Sequence, residues 1–139
     1  MTTEETLQPI AEFIKGNGIR FTATYKGRGE TEVAGRPWLH DKWACVFTRD
    51  ARRFTCPFSM GTGHEGKPPT AEDVLGCLAR YCAAWENAEG PYEFACEYGY
   101  ENAWEARKVY DTIGRQRVRL RAFLGEEAYD GLLWSTEKE

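Results

Sequence analysis

Residues 43–58, WACVFTRDARRFTCPF, contain two short runs in which every second side chain is apolar. The apolar positions of these runs are Trp43, Cys45, Phe47, Phe54, Cys56 and Phe58. A period of two is typical of strands that are half buried against a core, and the polar residues 49–52 provide a short link between the runs. The stretch therefore predicts an antiparallel β-hairpin.

The residues before this hairpin predict a helix followed by another strand. Thr2 and Glu5 have the spacing of a capping box, and apolar residues follow at helical intervals up to the glycines at 16 and 18. We expect a helix over residues 3–16. Apolar and polar residues then alternate over residues 19–25, which predicts a strand. The stretch Lys26–Pro37 is rich in glycine and charge, and we expect a loop there.

After the hairpin the apolar residues recur with the period of a helix. Thr70 and Asp73 have the spacing of a helix cap, and they predict a helix over residues 70–86. A longer helix is expected over residues 103–124, because an apolar stripe runs through it until Gly125.

Two shorter helices complete the prediction. One begins at Pro91 and ends before Gly99, and the other begins at Glu126, where acidic residues favour a helix N-terminus. Strands thus come first in the chain and helices later. We predict an α+β fold for residues 1–139 as a single domain, with a small antiparallel sheet of about three strands packed against helices and a helical C-terminal half.

Composition narrows the class of protein. The 139 residues carry a net charge of −4 and 14% aromatic residues, so the chain has too many aromatics for a disordered tail and lacks the basic excess of most nucleic-acid binders. No apolar run is long enough to cross a bilayer, and the N-terminus is acidic where a secretory signal would be basic. We expect a folded protein of the cytoplasm that does not enter a membrane.

The five cysteines are odd in number, lack a CxxC spacing and lie among apolar residues. Such thiols are typically reduced and buried. Zinc binding is the alternative, but Cys77 and Cys82 would point in different directions on a helix, and Cys45 and Cys56 would form only a facing pair in the hairpin. We favour core packing and expect no metal, no cofactor and no catalytic cysteine.

The glycine-rich loop at residues 61–66 has the form GxGxxG between a strand and a helix. A dinucleotide-binding unit also requires the helix to begin within the glycines and a parallel strand to follow. Here Pro68 and Pro69 intervene, and only helices follow. We favour a structural loop, with His64 as a hydrogen-bonding residue within it, and keep a small nucleotide-binding protein as an alternative.

Charge is distributed unevenly along the second half of the chain. Residues 81–106 contain six glutamates and no Lys or Arg, which gives −6, whereas residues 107–121 contain six bases and one aspartate, which gives +5. One interpretation is that the acids lie on solvated helix faces and partly neutralise the next helix. The other is an acidic surface with aromatic anchors that docks on a basic face of a partner. Its candidate residues are Glu89, Glu93, Glu97, Tyr98, Tyr100, Glu101, Trp104 and Glu105.

The bases at 115, 117, 119 and 121 suggest a second type of surface, because arginines bind phosphates. Spaced by two on a helix, their side chains would fan widely rather than form one stripe. At least one would lie near the apolar face and pair with a carboxylate. Direct nucleic-acid binding is therefore the less favoured interpretation, and a DNA-associated phage accessory protein using this helix stays an alternative.

Four blocks of the chain resemble a group of small proteins encoded by bacteriophages and prophages, most of which carry no assigned function. The blocks are PFSMGTGH at 57–64, PTAEDVLGCL at 69–78, EYGYE at 97–101 and FLGEEAY at 123–129. The resemblance implies a phage protein that acts inside a bacterium. Such small proteins include inhibitors of host defence, anti-CRISPR proteins among them, and the resemblance implies no catalytic residues.

Combining the resemblance with the acidic window, we expect a non-enzymatic inhibitor that binds a bacterial defence component. The expected partner is a bacterial protein or ribonucleoprotein complex, with a CRISPR–Cas effector as the most favoured. We expect the acidic, aromatic-rich surface to contact it.

Overall fold

The computed structural model describes the backbone of residues 3–33, 36–61, 67–90, 93 and 103–136, and the side chains of residues 9–30, 37, 39–60, 67–90, 93 and 107–133. Its helices are α1 (Thr3–Gly16), α2 (Ala71–Asn87), α3 (Ala103–Leu124) and α4 (Glu126–Thr136). Its strands are β1 (Arg20–Val33), β2 (Arg36–Arg49) and β3 (Arg52–Gly61). The strands form one antiparallel sheet in the order β1-β2-β3, which confirms the predicted α+β class with its helical second half. The predicted short helix at Pro91 lies outside the described residues.

The prediction of a loop over Lys26–Pro37 is wrong. Strands β1 and β2 continue through this region and pair from Gly27 with Lys42 to Val33 with Arg36. The pattern misled because apolar alternation reports burial of one face, whereas backbone hydrogen bonds and polar side chains hold this part of the ribbon. The register shifts between Tyr25 and Gly27, and Gly27 takes a φ of 103°, a conformation that favours glycine at such a bulge.

A buried carboxylate joins the two strands across this bulge. Asp41 is 4% exposed, and its Oδ1 accepts a hydrogen bond from the Tyr25 hydroxyl at 3.1 Å. The Arg28 Nε donates to the same oxygen at 3.5 Å. Both donors come from β1, on either side of the shift, so Asp41 holds the two halves of β1 against β2.

The core lies between one face of the sheet and the helices. The alternating side chains predicted for the hairpin all point to this face, and Phe47 and Phe54 are 1% and 2% exposed. All four helices contribute buried residues, among them Ile10, Leu75, Leu120 and Leu132.

Within the described residues, no helix combines the length and the hydrophobicity needed to cross a membrane.

The helix ends follow the predicted signals. Thr70 and Asp73 form a reciprocal capping box at the start of α2, with Asp73 N donating to Thr70 Oγ1 at 3.1 Å and Thr70 N donating to Asp73 Oδ2 at 3.3 Å. Gly125 ends α3 with a φ of 88°, and its N donates to the Arg121 carbonyl at 2.8 Å. These caps fix where α2 begins and where α3 ends before α4.

Candidate binding surface at the end of helix α2

The structure places two of the eight residues predicted for the acidic surface. Glu89 and Glu93 follow α2, and both side chains are exposed. The others are Glu97, Tyr98, Tyr100 and Glu101, which lie outside the described residues, and Trp104 and Glu105, which lie in the first turn of α3 with side chains outside the description. The predicted surface is thus described only at its beginning.

The two described carboxylates project from a capped chain segment. Helix α2 ends at Asn87, and the Ala88 N donates to the Ala84 carbonyl at 3.0 Å. The Glu93 Oε2 accepts a hydrogen bond from the Glu89 backbone N at 3.3 Å. Neither carboxylate forms an ion pair with a described residue. Their negative charge therefore remains available to a partner.

Glu86, the first acid of the window, is used inside the protein instead. Its Oε1 accepts a short hydrogen bond from Arg117 Nε, and the Tyr129 hydroxyl donates to the same oxygen at 3.3 Å. The side chain of Arg117 is only 17% exposed. Burial by itself would lower the pKa of Arg117, but the hydrogen bond and charge of Glu86 outweigh it and raise that pKa.

An aromatic pair borders this ion pair. The rings of Trp85 and Tyr110 stack with centroids 5.1 Å apart, and the Trp85 Nε1 donates to the Tyr110 carbonyl at 3.0 Å. The Arg117 guanidinium carbon lies 4.5 Å from the centroid of the Trp85 ring, in cation–π geometry. Gly114 permits the close approach, since a Cβ there would lie 3.2 Å from Trp85 Nε1. These contacts lock α2 against α3.

The aromatic pair forms the floor of an open groove of about 600 Å³ along α3. The groove continues past Gly114 to Val118, whose side chain is 59% exposed. Arg115 and Arg119 also line it. The groove therefore combines apolar surface with several arginines and one acid, Asp111, and its residue Trp85 precedes Glu89 by four positions in the chain.

The arginines of α3 are mostly engaged within the protein. Arg117 pairs with Glu86, and Arg121 forms a short hydrogen bond to Glu126. Arg119 donates to the Thr55 carbonyl at 2.9 Å. The prediction that one arginine lies near the apolar face and pairs with a carboxylate is confirmed at Arg117, whereas the acceptors that Arg119 finds on Thr55 are neutral.

The described thiols are free and poorly suited to nucleophilic chemistry. Burial raises the pKa of Cys45 to about 11 and that of Cys82 to about 11, and burial together with the Cys45 sulfur raises the pKa of Cys56 to about 12. A thiol attacks as the thiolate, so these values suppress reactivity near neutral pH. Burial also raises the pKa of Cys77, which lines a cavity of about 230 Å³ between β3, α2 and α3.

The structure describes only part of the residues on which the metal-site and glycine-loop interpretations depend. Within the described ranges, no group of three or more His, Cys, Asp or Glu side chains is placed to hold a metal ion. Cys45 and Cys56 are register partners, as the hairpin predicted. His64 and most of the glycine-rich loop lie outside the described residues, as does Cys96.

Sequence reasoning predicted that one arginine of this helix pairs with a carboxylate, but it did not identify Arg117 and Glu86 as the pair. Arg117 occupies a position on the apolar stripe of α3, between the buried residues Ile113 and Leu120. A base at such a position requires a carboxylate or a carbonyl from a packed neighbour. Which neighbour supplies it depends on the packing of two helices, since Glu86 is 31 residues away in sequence.

Comparison of the chain with family models, with curated proteins and with solved structures yields no match.

Proposed function

We propose that this protein is a bacteriophage-encoded, non-enzymatic inhibitor that binds a component of a bacterial defence system, with a CRISPR–Cas effector as the partner. The observation that carries the proposal is the pair of exposed carboxylates of Glu89 and Glu93 at the beginning of the acidic window, which no base among the described residues neutralises. The four sequence blocks that resemble phage proteins support the setting.

An acidic surface suits a partner whose own surface binds nucleic acid. Such a partner presents lysines and arginines, and opposite charges on the two proteins accelerate their encounter. Affinity then depends on a few buried aromatic or arginine anchors near the centre of the interface. The window contains such residues at Tyr98, Tyr100 and Trp104, and the groove over Trp85 lies beside its first acids.

Binding is favoured over catalysis by the chemistry of the described side chains. The buried thiols have raised pKa values, which opposes nucleophilic attack by Cys45, Cys56 or Cys82. The polar cluster around Arg117 connects helices, and its charged groups, Arg117 and Glu86, are paired with each other although Arg117 also lines the groove. Perturbed groups that are mutually paired are typical of structural networks.

The experiment is capture of partners by the tagged protein from a lysate of a CRISPR-bearing bacterium, with and without nuclease, followed by mass spectrometry. We expect subunits of a CRISPR–Cas effector to be retained after nuclease treatment. The variant Glu89→Lys/Glu93→Lys should reduce that capture at least tenfold. The control Glu127→Lys/Asp130→Lys makes the same charge change at exposed positions on α4 and should capture like the parent.

Two results would contradict the proposal. One is equal capture by the parent and by Glu89→Lys/Glu93→Lys, which would show that these carboxylates do not contact the partner. The other is loss of capture in His64→Ala, with circular dichroism showing a folded protein, which would move the site to the glycine-rich loop.

A further inference from the structure

The sheet has a second face that the helices do not cover. Side chains alternate between the two faces of a strand, and the core occupies the face that carries Trp43, Cys45 and Phe47. The opposite face, which we call the outer sheet face, contains five rows of residues paired across the three strands. The first four rows are Arg20–Thr48–Arg53, Thr22–Val46–Thr55, Thr24–Ala44–Pro57 and Gly27–Lys42–Ser59, and the fifth is Gly29–His40–Gly61.

This face is exposed and rich in hydroxyl groups. Thr22, Thr24, Thr55 and Ser59 are exposed, and the middle strand contributes the half-buried Ala44, Val46 and Thr48. All of these side chains are short, so another molecule can approach the sheet closely. Among the described side chains of the first four rows there is no aromatic ring and no methionine.

All the charges in the first four rows are positive. Arg20 and Arg53 lie at one end, and Lys42 lies at the other. None of the three forms an ion pair with a described residue. The first four rows contain no Asp or Glu, and Asp50 lies in the turn beyond them. The overall charge of −4 therefore conceals a face that is locally basic.

A further base reaches this face from the helical layer. Arg119 extends from α3 around the free edge of β3, where its Nη2 donates to the Thr55 carbonyl at 2.9 Å and to the Thr55 Oγ1 at 3.1 Å. Both acceptors are neutral, so the charge of Arg119 is not cancelled. Pro57, two residues along the same edge, lacks an N–H and so weakens this edge as a template for another strand. The edge thus favours binding at the face over addition of a strand.

We infer that the outer sheet face is a docking surface for the sugar-phosphate backbone of duplex nucleic acid. Arginine, lysine, serine and threonine are the side chains that contact phosphates. Six residues of β2 separate Lys42 from Thr48, which corresponds to about 20 Å of strand, a length that spans several phosphates on one side of a duplex. A single strand fits less well, because its binding relies on aromatic rings that stack on the bases.

Other occupants suit this face poorly. A second copy docked face to face would oppose Arg20 and Arg53 with the same bases. An acidic protein would find two arginines but no aromatic or methionine anchor in the first four rows, whereas protein interfaces typically combine arginine anchors with aromatic ones. This inference is independent of the proposed function, which depends on residues of the acidic window.

The test is fluorescence anisotropy of a labelled DNA duplex, titrated with the protein over a series of salt concentrations starting at about 50 mM. The variant Arg20→Glu/Arg53→Glu removes two exposed bases of the face. The matched control Arg80→Glu/Lys108→Glu makes the same charge change at exposed positions on α2 and α3. Circular dichroism establishes that each variant is folded.

We expect the parent to bind the duplex more tightly than a single strand of the same sequence, with affinity falling as salt rises. Arg20→Glu/Arg53→Glu should bind at least tenfold more weakly, and its slope of log affinity against log salt should be shallower by about 2, since each lost phosphate contact removes about 0.9. The control should stay within about threefold of the parent.

Four results would overturn the inference. They are no duplex binding by the parent at the lowest salt, equal losses in the two double variants, tighter binding of the single strand, and dimerisation in sedimentation velocity that Arg20→Glu/Arg53→Glu abolishes. None of these results bears on capture through Glu89 and Glu93, so the two proposals fail separately.

Discussion

The ion pair between Glu86 and Arg117 should contribute measurably to stability, and a double-mutant cycle tests this. Arg117 is 17% exposed and Glu86 is 34% exposed, so the pair lies between two known regimes. Fully exposed pairs couple by about 0.2 to 1 kcal/mol, and breaking a fully buried pair costs about 3 to 5 kcal/mol. We expect a coupling free energy of about 1.5 kcal/mol between Glu86→Ala and Arg117→Ala.

The single variants should differ in a way that the contacts explain. Arg117→Ala removes the ion pair and also the cation–π contact with Trp85, which contributes about 0.5 to 1 kcal/mol. Glu86→Ala removes the ion pair and the acceptor of the Tyr129 hydroxyl. We expect Arg117→Ala to lower the free energy of unfolding by about 2 to 3 kcal/mol and Glu86→Ala by about 2 kcal/mol.

The measurement is urea unfolding followed by far-ultraviolet circular dichroism, which does not depend on the altered surroundings of Trp85. The control cycle uses Arg107 and Asp111, an i,i+4 pair on α3 whose side chains are 69% and 47% exposed. That pair should couple by about 0.3 kcal/mol. If the two cycles give equal coupling, the partial burial of Arg117 has no energetic effect and the reasoning is refuted.

Two further predictions concern the thiols and a helix end. Burial raises the pKa of Cys45 and Cys82 to about 11 and that of Cys56 to about 12, against 9.0 for an exposed thiol, so the stabilising effect of these thiols is complete below pH 9 and is lost as the pH rises towards the higher values. Iodoacetamide at pH 8 should therefore label none of Cys45, Cys56 and Cys82 before the protein unfolds. Rapid labelling would refute their burial. Gly125→Ala should lower the free energy of unfolding in urea by about 1 to 2 kcal/mol, because Gly125 has a φ of 88°. Gly131→Ala on α4 should be neutral or stabilising, although the space around the added Cβ is equally open at both positions. Equal effects of the two substitutions would refute the role of the backbone conformation.

Local signals predicted most of the fold because their physical causes are themselves local. The Thr70–Asp73 capping box involves four consecutive residues, and Gly125 ends α3 through its own backbone conformation. The ribbon over residues 26–42 was missed for the opposite reason. Its partners are joined across two strands by backbone hydrogen bonds, which leave no trace in the pattern of side chains.

The candidate site was harder to predict because its contacts join distant parts of the chain. A count over residues 107–121 gives +5, but two of those bases pair with acids from outside that window, Arg117 with Glu86 and Arg121 with Glu126. Arg119 extends to the edge of β3 instead. A charge window in the sequence therefore overstates the charge that a helix presents to solvent.

The same pairing decides which surfaces remain charged. Glu86 neutralises Arg117 and Glu126 neutralises Arg121, so the charge of +5 over residues 107–121 falls to +3. The uncancelled bases at Arg20, Lys42 and Arg53 lie instead on the outer sheet face, away from the helices. The two proposals together assign the protein an acidic surface for a basic protein and a basic sheet face for phosphates, which is the pair of surfaces that a nucleoprotein partner would require.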